Sequence, residues 1–403
     1  MRVAFITHYT TLYGANRSLL NLVDGLRRYD VVSHVVAPAE GDVTNALRGR
    51  SVPIAVMPIQ WWVASQGLDG FDAGHPLRWL HKYLRWRSRT LERLSGNIRV
   101  LPKLVKQLKL WNVDVVYTNT SVTPIGAMAA RAIRRPHIWH LREFGDIDYG
   151  LHHDWGRSMF RCFISRADAA IAISEAIRSY HLRDAKSERV YVIYNGVASV
   201  AEFDRLHKIV NSHSALKPDR PFTFALVGLI HPTKGQDAAI RALALLSREF
   251  EKVRLLIVGE GRTDRLKALA HDLGVTNRVD FWGYVDDPYK AYLASDAVLM
   301  CSKSEAMGRV TVEAMSACRP VIGYDEAGTS EIIEHGHTGL LYRGGPEVLA
   351  SCMRQFVENP AWARQLGNNG WDVARKKYSV EVYAQSVYEV LSSVLKLRTT
   401  PCG

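Results

Sequence analysis

Two glutamates separated by seven residues, Glu305 and Glu313, are the side chains whose spacing says most about the chemistry of this chain. The sequence around them predicts a strand over Ala297–Cys301, a polar loop that holds Glu305, and a helix that begins after Gly308 and carries Glu313 near its first turn. The free N–H groups and positive dipole end of such a helix suit an anion such as a diphosphate. Because carboxylates also accept hydrogen bonds from vicinal hydroxyls, the pattern predicts a site for a nucleotide sugar.

Glycine-containing turns offer further places where a ligand can approach the backbone. The turn Tyr13-Gly-Ala-Asn-Arg-Ser18 follows the first predicted strand and opens a helix, so Gly14 is a candidate, with a plain connecting turn as the alternative. The sequence Gly259-Glu-Gly261 continues with Asp264 where a dinucleotide site would have its third glycine. Nicotinamide chemistry is therefore disfavoured.

Two acidic loops bear on the choice of base and on metal binding. Asp287, in Gly283-Tyr-Val-Asp-Asp-Pro288, has a carboxylate that suits the N1–H and amine protons of guanine, although a solvated turn explains the same residues. Asp146 and Asp148 stand near His152-His-Asp154, which is compatible with a divalent metal. A lone Asp-x-Asp is common by chance, so we predict no metal site.

Several motifs in the second half of the chain resemble, in their order, those of the retaining glycosyltransferases of family 4. These motifs are Gly228-Leu-Ile-His-Pro-Thr-Lys-Gly235, the two glutamates, Ala327-Gly-Thr-Ser-Glu-Ile-Ile333 and Gly336-His-Thr-Gly-Leu-Leu341. The resemblance runs over nearly the whole length. It implies an α/β protein with the GT-B fold, in which two Rossmann-like domains with doubly wound parallel sheets face each other and a C-terminal helix crosses back.

The resemblance also implies roles for individual residues. Glu305 is expected to hold the donor sugar, Glu313 the ribose and Lys234 the diphosphate, with His140 at the reacting end; His140, Glu305 and Lys234 are the expected catalytic residues. The remaining donor-binding residues implied by the family are Gly14, Gly228, Val285, Asp287, Met307, Gly308, Arg309 and Val310.

The chain departs from the family pattern at one phosphate contact. Many members have an arginine after the first glycine, where this chain has Leu229, and Arg309 is a candidate replacement. The resemblance implies front-face transfer from a UDP- or GDP-sugar, with the leaving phosphate helping to deprotonate the acceptor and with neither a metal nor another cofactor.

Alternating strand-like and helix-like stretches indicate two domains. At 403 residues with 47% hydrophobic content, the chain can bury two cores of ordinary size. Prolines and polar residues near the middle predict a linker. The predicted organisation is an acceptor-side domain over 1–198, a linker over 199–220, a nucleotide-sugar domain over 221–376, and a helix over 377–398 that packs back on the first domain.

Positive charge is concentrated in the segment 75–111. The chain has a net charge of +12, and this segment holds ten basic residues against the single acid Glu92. Trp79, Leu80, Tyr83, Leu84 and Trp86 recur there at helical spacing, which is typical of a helix that lies on an anionic membrane. A solvated helix is the plain alternative, and nucleic acid is disfavoured because the other motifs are enzymatic.

The remaining features favour the cytosol. The chain starts directly with a strand-like run, no apolar stretch approaches the roughly 18 residues that cross a bilayer, and the five cysteines have neither metal-ligand nor redox spacing. We therefore expect a glycosyltransferase of cell-surface polysaccharide synthesis, peripheral on the inner face of the plasma membrane, with a glycan or lipid-linked glycan as acceptor. The alternatives are a sugar-nucleotide epimerase on the same fold and a non-catalytic module that binds glycan or membrane.

Overall fold

The computed structural model describes residues 1–64, 76–183, 187–212 and 220–399. It divides the chain into two compact units, the first made of the residues up to Tyr194 and from Tyr383 onward, and the second of Asn195–Val382. None of the described helices is both long and apolar enough to cross a membrane.

The first unit is built on parallel strands, and those in the centre of the sheet are buried on both faces. Its strands are Arg2–Ile6 (β1), Val32–Ala37 (β2), Ile54–Val56 (β3), Val63–Ala64 (β4), Val115–Thr118 (β5), His137–Leu141 (β6), His152–His153 (β7), Ala169–Ala172 (β8) and Val190–Val192 (β9). Seven of them form one sheet in the order β3-β2-β1-β5-β6-β8-β9, while β4 and β7 form a separate antiparallel pair. Because helices cover both faces of such a sheet, its strands are continuous apolar runs.

Helices connect these strands. They are Gly14–Leu26 (α1), Asp42–Arg48 (α2), Pro76–Leu110 (α3), Ile125–Ile133 (α4), Asp146–Tyr149 (α5), Gly156–Ser165 (α6) and Glu175–His181 (α7). In α1, the residues Leu19, Leu22 and Leu26 recur at helical spacing and are fully buried against the sheet.

The second unit has the strand order of a Rossmann sheet. Its strands are Phe222–Val227 (β10), Val253–Val258 (β11), Val279–Gly283 (β12), Ala297–Met300 (β13), Val321–Tyr324 (β14) and Gly339–Tyr342 (β15). They are all parallel, in the order β12-β11-β10-β13-β14-β15, so the order reverses between β10 and β13. The predicted doubly wound parallel sheets are thus confirmed in both units.

The helices of the second unit surround this sheet, and the last helix returns to the first unit. They are Val200–Ser212 (α8), Gln236–Leu246 (α9), Asp264–Asp272 (α10), Tyr289–Ala294 (α11), Arg309–Ser316 (α12), Ala327–Ile332 (α13), Pro346–Glu358 (α14) and Pro360–Lys377 (α15). The final helix, Val380–Thr399 (α16), packs Tyr383, Val387 and Leu391 into the core of the first unit.

Much of the segment predicted as a linker, 199–220, is helical. Its first part forms α8, in which Phe203 and Leu206 are buried and Asp204 forms an ion pair with Arg375 at 2.7 Å. Trp371 Nε1 also donates to the carbonyl oxygen of Phe203 at 3.0 Å. A short apolar face inside a polar segment was enough to fix a helix. Residues 213–219 of the predicted linker lie outside the described residues.

Candidate functional site

The reversal of strand order in the second unit brings two of the predicted site segments together. Strands β10 and β13 are direct neighbours, with Phe224 paired to Ala297. The chain after β10 leads to Gly228 and Lys234, and the chain after β13 leads to Glu305. In open α/β sheets, ligands bind outside the carboxyl ends of the strands at such a reversal. This edge is therefore the candidate site of the second unit.

Lys234 is brought to the site by a close approach of two backbones. It ends a short 3-10 helix over Pro232–Lys234, and Gly235 follows with a φ of 71°. A Cβ at Gly235 would lie 2.7 Å from the Cβ and the carbonyl oxygen of Cys301, just after β13. Only glycine fits there, so the lysine lies against the loop that carries Glu305.

The Lys234 ammonium donates a hydrogen bond to the Glu305 carboxylate. The two side chains are mostly buried, with 28% and 16% of their surface exposed. The family resemblance implies that Lys234 binds the diphosphate of the donor and that Glu305 binds its sugar. In this structure, without a donor, the charges of the two side chains neutralise each other. Sequence spacing gave no signal of this pair, because three strands and their connections separate the two residues along the chain.

Two side chains bind the Glu313 carboxylate, and neither contact was predicted from the sequence. It is the fifth residue of α12, near the first turn as predicted, and it is 7% exposed. The Tyr292 hydroxyl donates to Oε2 at 3.0 Å, and the Arg309 Nε donates to Oε1 at 2.7 Å. Burial, followed by the charge of Glu313, raises the pKa of Tyr292 well above its ordinary value, so its hydroxyl stays a donor. Arg309, predicted to contact phosphate, thus pairs with Glu313.

The entrance of α12 is tightly built. Gly308 has a φ of 80° and precedes the helix, and the Met307 side chain is buried, where its sulfur lies 3.2 Å from the backbone nitrogen of Asn195. The Gly328 backbone N–H donates to the Glu305 carbonyl oxygen at 2.9 Å. Val310, in the first turn, is half-buried. These contacts fix the helix N-terminus beside the Lys234–Glu305 pair.

Glycines end three neighbouring strands at the same edge. Gly228, Gly259 and Gly283 all have positive φ. The Gly228 backbone N–H donates to the Val258 carbonyl oxygen, and the Gly259 backbone N–H donates to the Gly283 carbonyl oxygen, both at 2.8 Å. Leu229, where the family often has arginine, is 45% exposed.

The loop after β12 contains Val285 and Asp287. The Asp287 Oδ1 accepts a hydrogen bond from the Tyr289 backbone N–H at 2.9 Å, at the start of α11. This contact gives the carboxylate a structural role in the turn and favours the solvated-turn interpretation over base recognition. Val285 is half-buried in the same loop.

In the first unit, His140 is fully buried at the carboxyl end of β6, and its contacts fix its tautomer. Its Nδ1 lies 2.6 Å from the Tyr117 hydroxyl and 3.2 Å from the Arg142 guanidinium. A guanidinium can only donate, so Nδ1 is the acceptor and Nε2 carries the proton. Burial, and then the charge of Arg142, hold the pKa of His140 well below its ordinary value.

The His140 Nε2–H is buried and has no hydrogen-bond partner among the residues that the structure describes. A neutral imidazole with one unpaired N–H suits a ligand oxygen. Its supporting contacts come from distant parts of the chain, since Arg142 also donates to Asn119 Oδ1 and to the Tyr383 hydroxyl, both at 2.7 Å. The histidine was predictable from the sequence, whereas these supporting contacts were not.

Gly14 is the first residue of α1, after a loop that Asn16 holds in shape. The Asn16 side chain donates to the Tyr9 and Thr11 carbonyl oxygens at 2.9 and 2.8 Å and accepts from the Thr7 hydroxyl at 2.6 Å. Apart from its own chain neighbours and helix backbone, no heavy atom of the described residues would lie within 4 Å of a Cβ at Gly14. Packing against these residues does not require glycine there, which leaves room for close approach of a ligand.

Asp146 and Asp148 already have protein partners. Asp146 pairs with Arg157 and accepts from the Tyr180 hydroxyl at 2.6 Å, while Asp148 accepts from the Phe144 and Gly145 backbone N–H groups at 3.0 and 2.7 Å. Burial, and then Glu143, raise the pKa of Asp148 to about 7. Over the described ranges, no three His, Cys, Asp or Glu side chains are grouped as a metal site.

Two family models match the chain. The model for Glycosyltransferase Family 4 matches residues 13–199, and the model for Glycosyl transferases group 1 matches residues 208–372. The uncharacterized glycosyltransferase MJ1607 of Methanocaldococcus jannaschii is 27% identical over 300 residues, which cover 70% of this chain and 76% of that protein. The D-inositol 3-phosphate glycosyltransferase of Nocardia farcinica is 33% identical over 193 residues, covering 45% of this chain and 43% of that enzyme.

A solved structure extends the likeness to the whole chain. Anabaena HepE in complex with UDP has a TM-score of 0.77 and 23% identity, over 98% of this chain and 100% of HepE. The same protein in complex with UDP-glucose has a TM-score of 0.75 and 24% identity over the same shares of both chains. At this level of identity, the likeness shows a shared fold.

Proposed function

The chain belongs to the group 1 glycosyltransferases of family 4 and has their GT-B fold, and on this premise we propose that it transfers a sugar from a nucleotide donor with retention of configuration. The observation that carries the proposal is the grouping of Lys234, Glu305 and the α12 N-terminus at the strand-order reversal of the second unit. Together they offer a cation, a hydroxyl acceptor and the positive end of a helix dipole. HepE binds UDP and UDP-glucose, which favours a UDP-sugar as donor over a GDP-sugar.

In the proposed reaction, the bond between the anomeric carbon and the diphosphate oxygen breaks as the acceptor oxygen bonds to the same carbon from the same face. The acceptor proton passes to the leaving phosphate. Lys234 and the α12 N-terminus stabilise the charge that grows on the diphosphate, so no metal is required. The His140 Nε2–H donates to an oxygen of the transferred sugar, and Glu313 accepts from the ribose hydroxyls.

The exposed surface of α3 supports a membrane-bound setting for this reaction. Leu80, Leu84 and Leu91 are exposed on one side of α3 together with Arg87, and Arg85 and Arg89 are exposed on its other side. These six residues are called the basic surface of α3 below. Residue 75 and the side chains of 76–79 and 82, including Trp79, lie outside the described residues. A helix that exposes leucines together with several arginines suits anionic lipid, which favours a lipid-linked glycan acceptor in cell-surface polysaccharide synthesis at the cytoplasmic face.

Incubation with a panel of UDP- and GDP-sugars, without acceptor, tests the proposed function. A transferase is expected to bind one donor and release its nucleotide slowly by hydrolysis. Conversion of the donor into an isomeric nucleotide sugar would instead identify an epimerase. Tight binding that leaves every donor intact, with no product when glycan acceptors are added, would indicate a non-catalytic module.

A further inference from the structure

The first unit contains a cavity of about 710 Å³ that the proposed chemistry has not used. It lies between α3, which supplies Trp86 and Arg87, and the segment from Phe144 to Phe160, with Tyr180 and His181 of α7 closing it. A cavity of this size is within the range of small-molecule sites, roughly 300–1,000 Å³. Its wall begins shortly after His140 in sequence, in the loop that leaves β6.

Part of the cavity wall suits a carbohydrate. Trp86, Trp155 and Tyr180 supply aromatic rings, which pack against the apolar C–H face of a sugar. Beside them, Asp146 accepts hydrogen bonds from Arg157 and from the Tyr180 hydroxyl, and the Arg157 guanidinium lies 4.7 Å from the centre of the Tyr180 ring. A carboxylate and a guanidinium on one wall present acceptors and donors for neighbouring hydroxyls.

Two imidazoles of the wall have a ring nitrogen that can form a hydrogen bond with a ligand hydroxyl. The His153 ring stacks on Phe160 with centroids 4.1 Å apart, and its buried Nδ1 has no hydrogen-bond partner among the residues that the structure describes. The His181 Nε2 donates to the Glu143 carbonyl oxygen at 2.9 Å, so its Nδ1 is left as an acceptor. A buried polar atom without a partner costs free energy, which a ligand hydroxyl would recover.

Charge at the cavity points to an anionic ligand. The Asp154 carboxylate forms an ion pair with Arg93, and the Asp146 carboxylate pairs with Arg157. Arg87 is exposed, and it forms neither an ion pair nor a side-chain hydrogen bond with any described residue. The uncompensated charge of the wall is therefore positive and is carried by α3.

We propose that this cavity binds the acceptor, and that the acceptor is a sugar carrying a phosphate or diphosphate. The sugar lies on the aromatic wall, and Arg87 binds the phosphate. This assignment rests on the proposed function and deepens it, because it names the acceptor class and a residue that selects it. Arg87 also belongs to the basic surface of α3. It could therefore bind the phosphate of a lipid-linked sugar at a membrane as well as the phosphate of a soluble sugar phosphate.

Direct binding to the whole protein, without donor, tests the cavity. A hexose 1-phosphate is compared with the same unphosphorylated hexose by titration calorimetry, for wild type, Arg87→Ala and the matched control Arg99→Ala. Arg99 is exposed on the same helix and does not line the cavity. We expect the phosphate to tighten binding, and Arg87→Ala to weaken hexose 1-phosphate binding about tenfold or more, while Arg99→Ala changes it less than about twofold.

A second cavity variant and a lipid-linked ligand complete the experiment. Trp155→Ala removes a partly exposed ring and is expected to weaken both hexoses alike. A polyprenyl diphosphate-linked hexose in detergent should bind more tightly than hexose 1-phosphate if the acceptor is lipid-linked, and equally if it is a soluble sugar phosphate.

The outcomes separate this proposal from the proposed function. Equal binding of the two hexoses, or equal effects of Arg87→Ala and Arg99→Ala, would overturn the cavity assignment. If the protein binds and slowly cleaves a UDP-sugar but binds none of the three acceptor probes, the cavity assignment fails alone. If it cleaves no donor but binds the sugar phosphate through Arg87, the transferase proposal fails and the cavity site stands.

Discussion

The candidate donor residues are paired with one another in the free chain. Glu305 pairs with Lys234, and Glu313 is held by Arg309 and Tyr292. A donor that binds there must replace hydrogen bonds between these side chains. The effect of a substitution on donor binding therefore depends on which side chain of a pair remains after the other is removed. Removing one glutamate therefore has a different consequence from removing the other.

The first prediction separates the two glutamates. Glu313→Ala is expected to weaken UDP binding by about 1.5–3 kcal/mol, because it removes the acceptor for the ribose hydroxyls and frees Arg309. Glu305→Ala is expected to leave UDP binding unchanged or tighter, since Lys234 becomes available to the diphosphate, while transfer falls. Calorimetric titration with UDP and a transfer assay measure both. Equal losses of UDP affinity would show that the two ends are misassigned.

The second prediction concerns Lys234 in place of a metal. Because a lysine and a helix N-terminus are proposed to stabilise the leaving diphosphate, a chelator is expected to leave transfer unchanged, whereas Lys234→Ala should slow it by about two orders of magnitude. Lys234→Arg keeps the charge and serves as the control. Strict dependence on added manganese or magnesium would contradict this mechanism.

The third prediction concerns the tautomer of His140. Tyr117→Phe keeps the buried ring but removes a hydroxyl that lies 2.6 Å from His140 Nδ1, leaving Arg142 as the remaining donor. We expect transfer to slow about tenfold, with donor affinity unchanged, because one of the two hydrogen bonds to His140 Nδ1 is lost. ¹⁵N chemical shifts report the tautomer directly. An unaltered tautomer together with an unaltered rate would show that the hydroxyl only fills the core.

At the scale of elements, regular strands were predictable and side-chain pairing was not. The run Val3–Ile6 is fully buried in a parallel sheet, where a continuous apolar run identifies the strand. The helix α8 was missed because Phe203 and Leu206 are the only buried hydrophobic residues among its described side chains, within a polar stretch.

The same limit applies to the candidate site. Spacing identified Glu305, Glu313 and the α12 entrance, because these lie within one strand-loop-helix unit. It did not identify Tyr292, which reaches Glu313 from α11, or Asn16, which shapes the loop before Gly14. Such contacts depend on strand order, and no local pattern encodes that order.

The fourth prediction belongs to α3. The double change Arg85→Glu and Arg89→Glu leaves Arg87 of the cavity intact and reverses two exposed charges. Each base near an anionic surface contributes about 1 kcal/mol, so flotation with anionic vesicles should fall sharply while UDP binding stays normal. The same double change to lysine is the control. Wild-type protein that stays unbound at low salt would show that α3 is a solvated helix.

At the scale of the molecule, the two units differ in their buried histidines. Burial lowers the pKa of His8, His137 and His153 to about 3 and that of His181 to about 4, and all four lie in the first unit. In the unfolded chain a histidine has a pKa of about 6.5. Between these values the unfolded state binds more protons than the folded state, so acid favours unfolding of the first unit.

The fifth prediction is therefore a loss of stability as the pH falls from about 6.5 toward 4. Each of the four histidines contributes up to about 1.4 kcal/mol per pH unit, and the loss ends once the pH falls below the folded pKa values. Asp148, whose pKa is raised to about 7, acts in the opposite direction as a single group. Urea unfolding at pH 7 and at pH 5, followed by tryptophan fluorescence, measures the change. An unfolding midpoint that stays constant or rises at pH 5 would contradict the burial of these imidazoles.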